Sequence, residues 1–333
     1  MQPTRLGVIG LGLIWQRAHQ PVLAQMTDLI QPVAFCDLSA ERRAATAAAY
    51  PNAQVVEDYQ TLLANPAVDV VLVLTPIALN APTALAALKA GKDVIMEKPV
   101  ARSLAEGDAL IAQARTLGRR IMVTEQMAYR HAETQLAELL AGGAIGDLIL
   151  WERVQHLEAD TAQGAMRYDT TPWRKAANFP LGTLFDGGIH IIAGLTKVFG
   201  APATVAATGR RLRQEYGDYD QVAMFFHYAS GLTGMLSHSS YLPAIKNYFY
   251  IHGTQGVITV EPTRLLIDKP GQVTQVIDMP AINAYAGMWQ AILTAYQAGS
   301  EPYYTPEKAL GDVAILLAVE EAIKQGAIVT VRQ

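Results

Sequence analysis

The feature that most constrains the fold is a regular alternation of short apolar segments and helix-like segments over residues 1–126. The runs at residues 6–9 and 94–96 are apolar throughout, and the run at 68–74 is apolar except for Asp69. Alanine-rich segments lie between the runs. Strands that are apolar throughout are buried on both faces, and strands that alternate with helices pair in parallel. The pattern therefore predicts an α/β domain whose parallel sheet is covered by helices on both sides.

The pattern changes after residue 126. A longer strand is expected at residues 149–157 and a helix at 184–198, and strand-like runs then follow one another from 203 to 277 with only turns between them. Two helices, at about 282–298 and 306–325, close the chain. We therefore predict two domains: residues 1–126 with the parallel sheet, and residues 127–333 with helices and a mostly antiparallel sheet.

Composition excludes several classes of protein. Hydrophobic residues make up 51% of the chain and charged residues 17%, which suits a large core and argues against disorder. The net charge of −4 leaves no electrostatic footprint for nucleic acid or an anionic membrane. The lone cysteine, Cys36, excludes an internal disulfide, and no His/Cys/Asp/Glu cluster has metal-ligand spacing. With no signal peptide or membrane span in the pattern, we expect a cytoplasmic protein without a metal.

A glycine loop follows the first strand and precedes the first helix. Gly10 and Gly12 let the backbone turn tightly and approach a pyrophosphate, while the helix N-terminus offers N–H groups and positive charge. We expect the loop to hold a dinucleotide through these two glycines and through Leu11, Leu13 and Ile14. The alternative is a tight turn in an unrelated α/β fold. At the third fingerprint position Trp15 replaces the usual small residue, so it either alters the seating of the helix or lies over the cofactor site.

Asp37 ends the second strand at the spacing of an acid that hydrogen-bonds an adenosine ribose. That position favours NAD, with Leu38 beside it. Arg42 and Arg43 follow closely and could meet a 2′-phosphate, so NADP stays open. A cap for the next helix is the other role available to Asp37.

Two further groups carry chemistry. In Glu97-Lys98-Pro99 a strand ends on a lysine aimed by a proline, and a lysine at the mouth of a parallel sheet can stabilise developing negative charge. The alternative is a surface turn. Asp186 and His190 are four residues apart, a spacing that places both on one helix face, where the carboxylate could orient the histidine for proton transfer. The alternative for His190 is a histidine satisfied within a core.

These pieces together resemble the Gfo/Idh/MocA family, the glucose-fructose oxidoreductase and inositol dehydrogenase group. The resemblance rests on Gly10-Leu11-Gly12, on residues 90–99 ending in Glu-Lys-Pro, on residues 186–190 and on the closing segment 305–310. It implies that residues 1–126 are a dinucleotide-binding Rossmann domain and that residues 127–333 are an α+β domain with an open sheet that binds substrate and oligomerises. It also implies a catalytic group of Lys98, Asp186 and His190. We expect the Lys98–Pro99 peptide to be cis.

The resemblance also implies contacts that carry over less directly. Those toward the cofactor are Thr75, Pro76, Asn80, Glu97, Lys98, Gln126, Trp173, Arg174 and Tyr285. Those toward the substrate are Lys98, Tyr129, Arg174, Asp186 and His190, with Arg130 in the same cleft. Asn80 stands where many members have histidine, and Gln126 where they have asparagine.

The expected activity is hydride transfer between NAD, or NADP, and a secondary alcohol or carbonyl of a sugar, cyclitol or sugar derivative. A homo-oligomer, dimer or tetramer, is expected from the same resemblance. Two alternatives remain: a cofactor-binding regulatory or sensor protein without turnover, and an NAD-dependent glycosidase that uses transient oxidation. His156, His238 and Tyr241 are further residues that could face the substrate.

Overall fold

The computed structural model describes residues 2–157, 171–175, 181–214, 217–280 and 282–333. The chain forms two compact units. The first comprises Met1–Tyr129 and Asn283–Leu310, and the second comprises Arg130–Ile282 and Gly311–Gln333. In the described ranges, no helix is both long enough and apolar enough to cross a membrane.

Strands and helices alternate through the first unit and strands dominate the second. The strands are β1 (Thr4–Ile9), β2 (Ile30–Cys36), β3 (Gln54–Val56), β4 (Val70–Val73), β5 (Asp93–Glu97), β6 (Ile121–Thr124), β7 (Leu148–His156), β8 (Thr204–Arg210), β9 (Gln221–His227), β10 (Thr233–Ser239), β11 (Tyr248–Gly253), β12 (Gly256–Val260), β13 (Arg264–Asp268), β14 (Gln275–Asp278) and β15 (Val329–Thr330).

The α-helices are α1 (Gln20–Leu23), α2 (Ala40–Ala49), α3 (Tyr59–Leu63), α4 (Ile77–Lys89), α5 (Leu104–Thr116), α6 (His131–Ala141), α7 (Pro172–Lys175), α8 (Ile189–Phe199), α9 (Ala284–Ala298) and α10 (Pro306–Gln325). Three tighter or wider turns add to them: a π-helical turn at Trp15–His19, a 3₁₀ turn at Gln126–Tyr129 and a π-helical turn at Leu184–Gly188.

The sheet of the first unit is parallel, as the apolar strands predict. Its strands lie in the order β3-β2-β1-β4-β5-β6, and all the pairings are parallel. All residues of β4 and β5 are buried. In this order the strand sequence reverses between β1 and β4, and ligands of such sheets bind beyond the carboxyl ends of the strands at that point.

Local capping fixes where the helices of the first unit begin. Asp58 accepts a hydrogen bond from the Gln60 N–H at 3.0 Å and caps α3. Ser103 accepts from the Glu106 N–H at 3.2 Å at the start of α5, but the Glu106 carboxylate reaches the N–H of Arg102 rather than that of the cap residue. Ser103 and Glu106 therefore form a capping box that is shifted by one residue.

The sheet of the second unit is mixed and mostly antiparallel, in the order β14-β13-β12-β11-β7-β10-β9-β8-β15. The exception is the central pair β7 and β10, which is parallel. A parallel pair needs a long crossover, and the chain between these strands includes α8. Trp151 of β7 is fully buried and stacks on Phe199 of α8 and on Phe226 of β9, with ring centroids 5.5 Å apart in each case. The helix therefore covers this face of the sheet.

Candidate active site

The glycine loop lies at the carboxyl end of β1, beside the end of β4. Gly10 has φ +99°, and a Cβ there would lie 2.6 Å from the carbonyl oxygen of Leu74. Only glycine suits that backbone and that approach. At Gly12 a Cβ would meet a single near neighbour, the Arg42 Nη1 atom at 4.0 Å. The loop therefore leaves open space above Gly12, at the start of a helix whose first N–H groups have no carbonyl partners within the helix.

Trp15 does not lie over this space. Its side chain is 2% exposed and packs edge-on against Phe35 with ring centroids 5.7 Å apart. It opens the π-helical turn Trp15–His19. The helix therefore starts with an unusual geometry, while the alternative of an indole covering the loop is wrong.

Asp37 is tied to the glycine loop through its carboxylate. Its Oδ2 accepts a hydrogen bond from the Leu11 N–H at 2.7 Å, and its Oδ1 accepts from the Ser39 N–H at 2.8 Å. Ser39, not Asp37, caps α2. The capping role considered for Asp37 is therefore wrong, and the carboxylate instead braces the loop at the position expected for an acid that binds ribose.

The two arginines after Asp37 have different surroundings. Arg43 donates to the carbonyls of Asp37 and Leu38 at 2.8 and 2.9 Å and to Glu57 at 2.7 Å. Arg42 is half-exposed, lies 3.4 Å from the Asp37 carboxylate and borders the space above Gly12. Leu38 is 83% exposed, an apolar surface that an adenine ring could cover. Arg42 is therefore the better placed of the two to meet a phosphate.

A second network forms at the ends of β4 and β5. The Thr75 hydroxyl donates to the Asn80 Oδ1 at 2.9 Å, and the Asn80 Nδ2 donates to the backbone carbonyl of Glu97 at 3.2 Å. Pro76 is exposed and immediately precedes α4. The structure thus brings together three of the predicted cofactor residues, Thr75, Asn80 and Glu97, at one sheet edge.

The Glu97 side chain has partners that the sequence did not reveal. Its Oε1 lies 3.0 Å from the His19 Nε2 and accepts from the Thr124 hydroxyl at 2.8 Å. His19 in turn accepts at Nδ1 from the Trp289 Nε1 at 3.0 Å. No local sequence pattern links residues so far apart in the chain, and only a histidine on a helix after a glycine loop could have drawn attention to His19.

Glu97 is held as a carboxylate in spite of its burial. Burial alone raises the pKa of a carboxyl group. Here the hydrogen bonds from His19 and Thr124 and the positive charge of Lys98 act against burial and lower the pKa of Glu97. The negative charge of Glu97 is therefore close enough to interact with the positive charge of Lys98.

Four further residues, Lys98, Tyr129, Tyr285 and Gln126, complete the first unit's share of the predicted site. The Lys98–Pro99 peptide is cis, as predicted, and Lys98 is half-buried. The Tyr129 hydroxyl accepts from the Tyr304 N–H at 3.1 Å, and burial raises the pKa of Tyr129 to about 12. The Tyr285 ring lies edge-on to His19 at 5.6 Å between centroids. Gln126 is half-buried in its 3₁₀ turn.

Asp186 and His190 belong to the second unit. Asp186 lies in the π-helical turn and is 9% exposed, and His190 is half-buried in the first turn of α8. Arg174 forms an ion pair with Asp186 and stacks over the Trp173 ring, with its guanidinium carbon 4.1 Å from the centroid. Trp173, Arg174 and Asp186 are thus held as one group, and the pairing of Asp186 with His190 stays a prediction.

The other histidines of the second unit differ in their surroundings. His156 contacts the Ser237 hydroxyl at 3.0 Å. His238 is 7% exposed, and within the described residues neither of its ring nitrogens has a hydrogen-bond partner. Burial, with His156 and Arg153 nearby, lowers the pKa of His238 to about 4. Tyr241 is exposed and packs beneath Arg213. Among residues that the structure describes, no group of three or more His, Cys, Asp and Glu side chains could hold a metal.

Both halves of the chain match known protein families. A family model described as "Oxidoreductase family, NAD-binding Rossmann fold" (GFO_IDH_MocA) matches residues 4–125, and one described as "GFO/IDH/MocA C-terminal domain" matches residues 134–259. A trans-1,2-dihydrobenzene-1,2-diol dehydrogenase of Mus musculus is 30% identical, over 79% of this chain and 78% of the relative.

Two further comparisons extend the likeness. The scyllo-inositol 2-dehydrogenase (NADP(+)) IolW of Bacillus subtilis is 26% identical, over 75% of this chain and 66% of the relative. The crystal structure of an oxidoreductase of Thermotoga maritima is similar with a TM-score of 0.91 and 25% identity, over 98% of each chain. The likeness therefore covers nearly the whole fold.

Proposed function

The chain belongs to the Gfo/Idh/MocA oxidoreductase family, and from that premise we propose that it is an NAD(P)-dependent dehydrogenase or reductase. Its substrate is a secondary alcohol or carbonyl group of a sugar, cyclitol or sugar derivative. The observation that carries the proposal is the first unit's combination of an open glycine loop, an acid braced against it and Lys98 at the end of β5.

The residues of the glycine loop fit a dinucleotide. Gly12 leaves room for a pyrophosphate, the following helix offers N–H groups, and Asp37 presents a carboxylate where a ribose would lie. Leu13 and Ile14 are half-buried beside the loop. When bound, the nicotinamide supplies the hydride acceptor or donor. We favour NAD on account of Asp37, with NADP served by Arg42.

The chain's own residues handle charge and protons. The Lys98 ammonium stabilises the negative charge that develops on the substrate oxygen. His190 takes the hydroxyl proton during oxidation and returns it during reduction. Asp186, held by Arg174, orients His190 and hydrogen-bonds a substrate hydroxyl. The second unit serves as the substrate-binding domain, and the assembly that we propose is a homo-oligomer acting in the cytoplasm on a small sugar or polyol.

The test replaces the two groups that handle charge and protons. Lys98→Ala and His190→Ala should each lower kcat by at least about a hundredfold, because each removes a group that acts in the transition state. Affinity for the dinucleotide, measured by isothermal titration, should remain close to that of the unchanged protein. Lys89→Ala, at an exposed lysine in the last turn of α4, is the control and should keep full turnover. Full turnover in both site variants would contradict the assignment.

A further inference from the structure

A buried hydrogen-bond chain connects α9 to the lysine-bearing end of β5, all within the first unit. The Trp289 indole N–H donates to the His19 Nδ1 at 3.0 Å, and the His19 Nε2 lies 3.0 Å from the Glu97 Oε1. Thr124 donates to the same carboxylate oxygen at 2.8 Å. Trp289, His19 and Thr124 are fully buried, and Glu97 is 8% exposed. The chain is therefore shielded from solvent along its whole length.

The direction of these hydrogen bonds fixes the form of His19. An indole N–H can only donate, so the His19 Nδ1 must accept and carries no hydrogen. A neutral imidazole then has its hydrogen on Nε2, where it donates to Glu97. An imidazolium would place a second hydrogen at Nδ1, against the indole N–H. Trp289 therefore selects the neutral Nε2–H form of His19.

This form of His19 matters for Glu97. A histidine that donates at Nε2 without carrying a charge satisfies the buried carboxylate but does not neutralise it. The net negative charge of Glu97 then acts on Lys98, whose own charge favours the ionised carboxylate. The Asn80 amide holds the Glu97 backbone carbonyl as well, at 3.2 Å. Both the side chain and the backbone of the residue before Lys98 are thus fixed.

We propose that His19 and Trp289 are positioning residues of the active site: Trp289 locks His19 in its neutral Nε2–H form, and His19 keeps Glu97 in place as a carboxylate behind Lys98. The inference rests on the proposed function, in which Lys98 stabilises charge on the substrate oxygen. In this proposal residues 283–310, which belong to the first unit, support the active site through Trp289 as well as packing against that unit.

The hydrogen-bond chain can be tested without any substrate. With histidines labelled with ¹⁵N, and with His19 assigned from the signals lost in His19→Gln, the ring should show a hydrogen on Nε2 and none on Nδ1. In Trp289→Phe the Nδ1 loses its donor, and a hydrogen on Nδ1 should become detectable. The ionisable groups that face the ring are Glu97 and, from α9, Tyr285, with Lys98 acting through Glu97. An Nδ1–H form in the unchanged protein, or no change in Trp289→Phe, overturns the proposal.

Kinetics test the link to Lys98. Glu97→Gln keeps the shape and the acceptor oxygen but removes the charge, so kcat should fall by about ten- to a hundredfold, as is usual for groups that support an active residue. Trp289→Phe should change the pH profile of kcat, because the His19 Nδ1 can then carry a hydrogen and the charge behind Lys98 is no longer set by Glu97 alone. Leu293→Ala, a fully buried change on the same helix without a polar contact, is the control and should keep the pH profile of the unchanged protein.

The outcomes separate this inference from the proposed function. No turnover in the unchanged protein would contradict the proposed function, while the ¹⁵N signals would still decide whether Trp289 locks His19. Turnover that is unchanged in Glu97→Gln overturns the positioning role, even with His19 in the expected form. A pH profile in Leu293→Ala like that of Trp289→Phe also overturns it, because lost packing would then explain the effect.

Discussion

Asp37 holds two backbone N–H groups at once, and the same carboxylate is the acid that faces the ribose in our proposal. Its Oδ2 lies 3.4 Å from the Arg42 Nη1, so the carboxylate and the guanidinium partly offset one another beside Gly12. The Asp37 carboxylate would repel a 2′-phosphate, and the Arg42 guanidinium would attract it. Cofactor preference is therefore determined by the balance between two residues five positions apart.

Asp37→Ser should shift the preference toward NADP. Removing the carboxylate removes the group that repels a 2′-phosphate and keeps Arg42, which attracts it. The ratio of kcat/KM for NADP to kcat/KM for NAD should therefore rise by about tenfold or more. Turnover with NAD should fall, since the Leu11 N–H also loses its acceptor. Glu57→Gln, which removes an exposed carboxylate paired with Arg43, should leave the ratio unchanged. A ratio unaltered by Asp37→Ser would contradict this role.

His238 predicts a pH dependence of stability. Its pKa falls from 6.5 to about 4 on folding, so between these values the unfolded chain binds a proton that the folded chain does not. This group therefore does not affect the free energy of unfolding above about pH 6.5. As the pH falls from there toward 4, the free energy of unfolding decreases by about 3 kcal/mol in all. His238→Leu should flatten that loss. Urea unfolding at about pH 7 and about pH 5 measures it, and equal losses in both proteins would contradict the prediction.

Two glycines in different elements should respond oppositely to the same substitution. In β10, a Cβ on Gly234 would lie 2.2 Å from the buried Trp151 ring, which has no room to move. Gly234→Ala should therefore lower the free energy of unfolding by roughly 1–3 kcal/mol. In α10, a Cβ on Gly311 meets nothing within 4 Å. Gly311→Ala should therefore raise the free energy of unfolding by up to about 1 kcal/mol. Thermal unfolding measures both, and a Gly234→Ala protein as stable as the unchanged one would contradict the packing argument.

The sequence predicted those strands and helices whose formation depends on neighbouring residues in the chain. Apolar runs predicted β1, β4 and β5. Asp58 and Ser103, which belong to residue types favoured at helix starts, cap α3 and α5. The parallel pairing of β7 with β10 was not readable, because register and direction in a sheet depend on partners far away in the chain. The three-residue β3 is too short to show a period of its own.

At the scale of the whole molecule, the sequence predicted the family and the fold because its motifs are short and contiguous. Glu97-Lys98-Pro99 and Gly10-Leu11-Gly12 are visible as strings of letters. The partners of Glu97 are not, since His19 precedes it by 78 positions and Trp289 donates to a histidine 270 positions away. Such contacts are created by folding, and the return of residues 283–310 to the first unit had no local sequence mark.

The central claim is that this chain moves a hydride between a nicotinamide dinucleotide and a secondary alcohol of a sugar or cyclitol. The most direct measurement is an NAD and NADP reduction screen over sugars, sugar acids and inositols, run with the unchanged protein and Lys98→Ala side by side. We predict reduced cofactor with at least one compound, faster with NAD than with NADP, and loss of the signal in Lys98→Ala. Cofactor binding without reduction across the panel, or equal rates in the two proteins, would contradict the account.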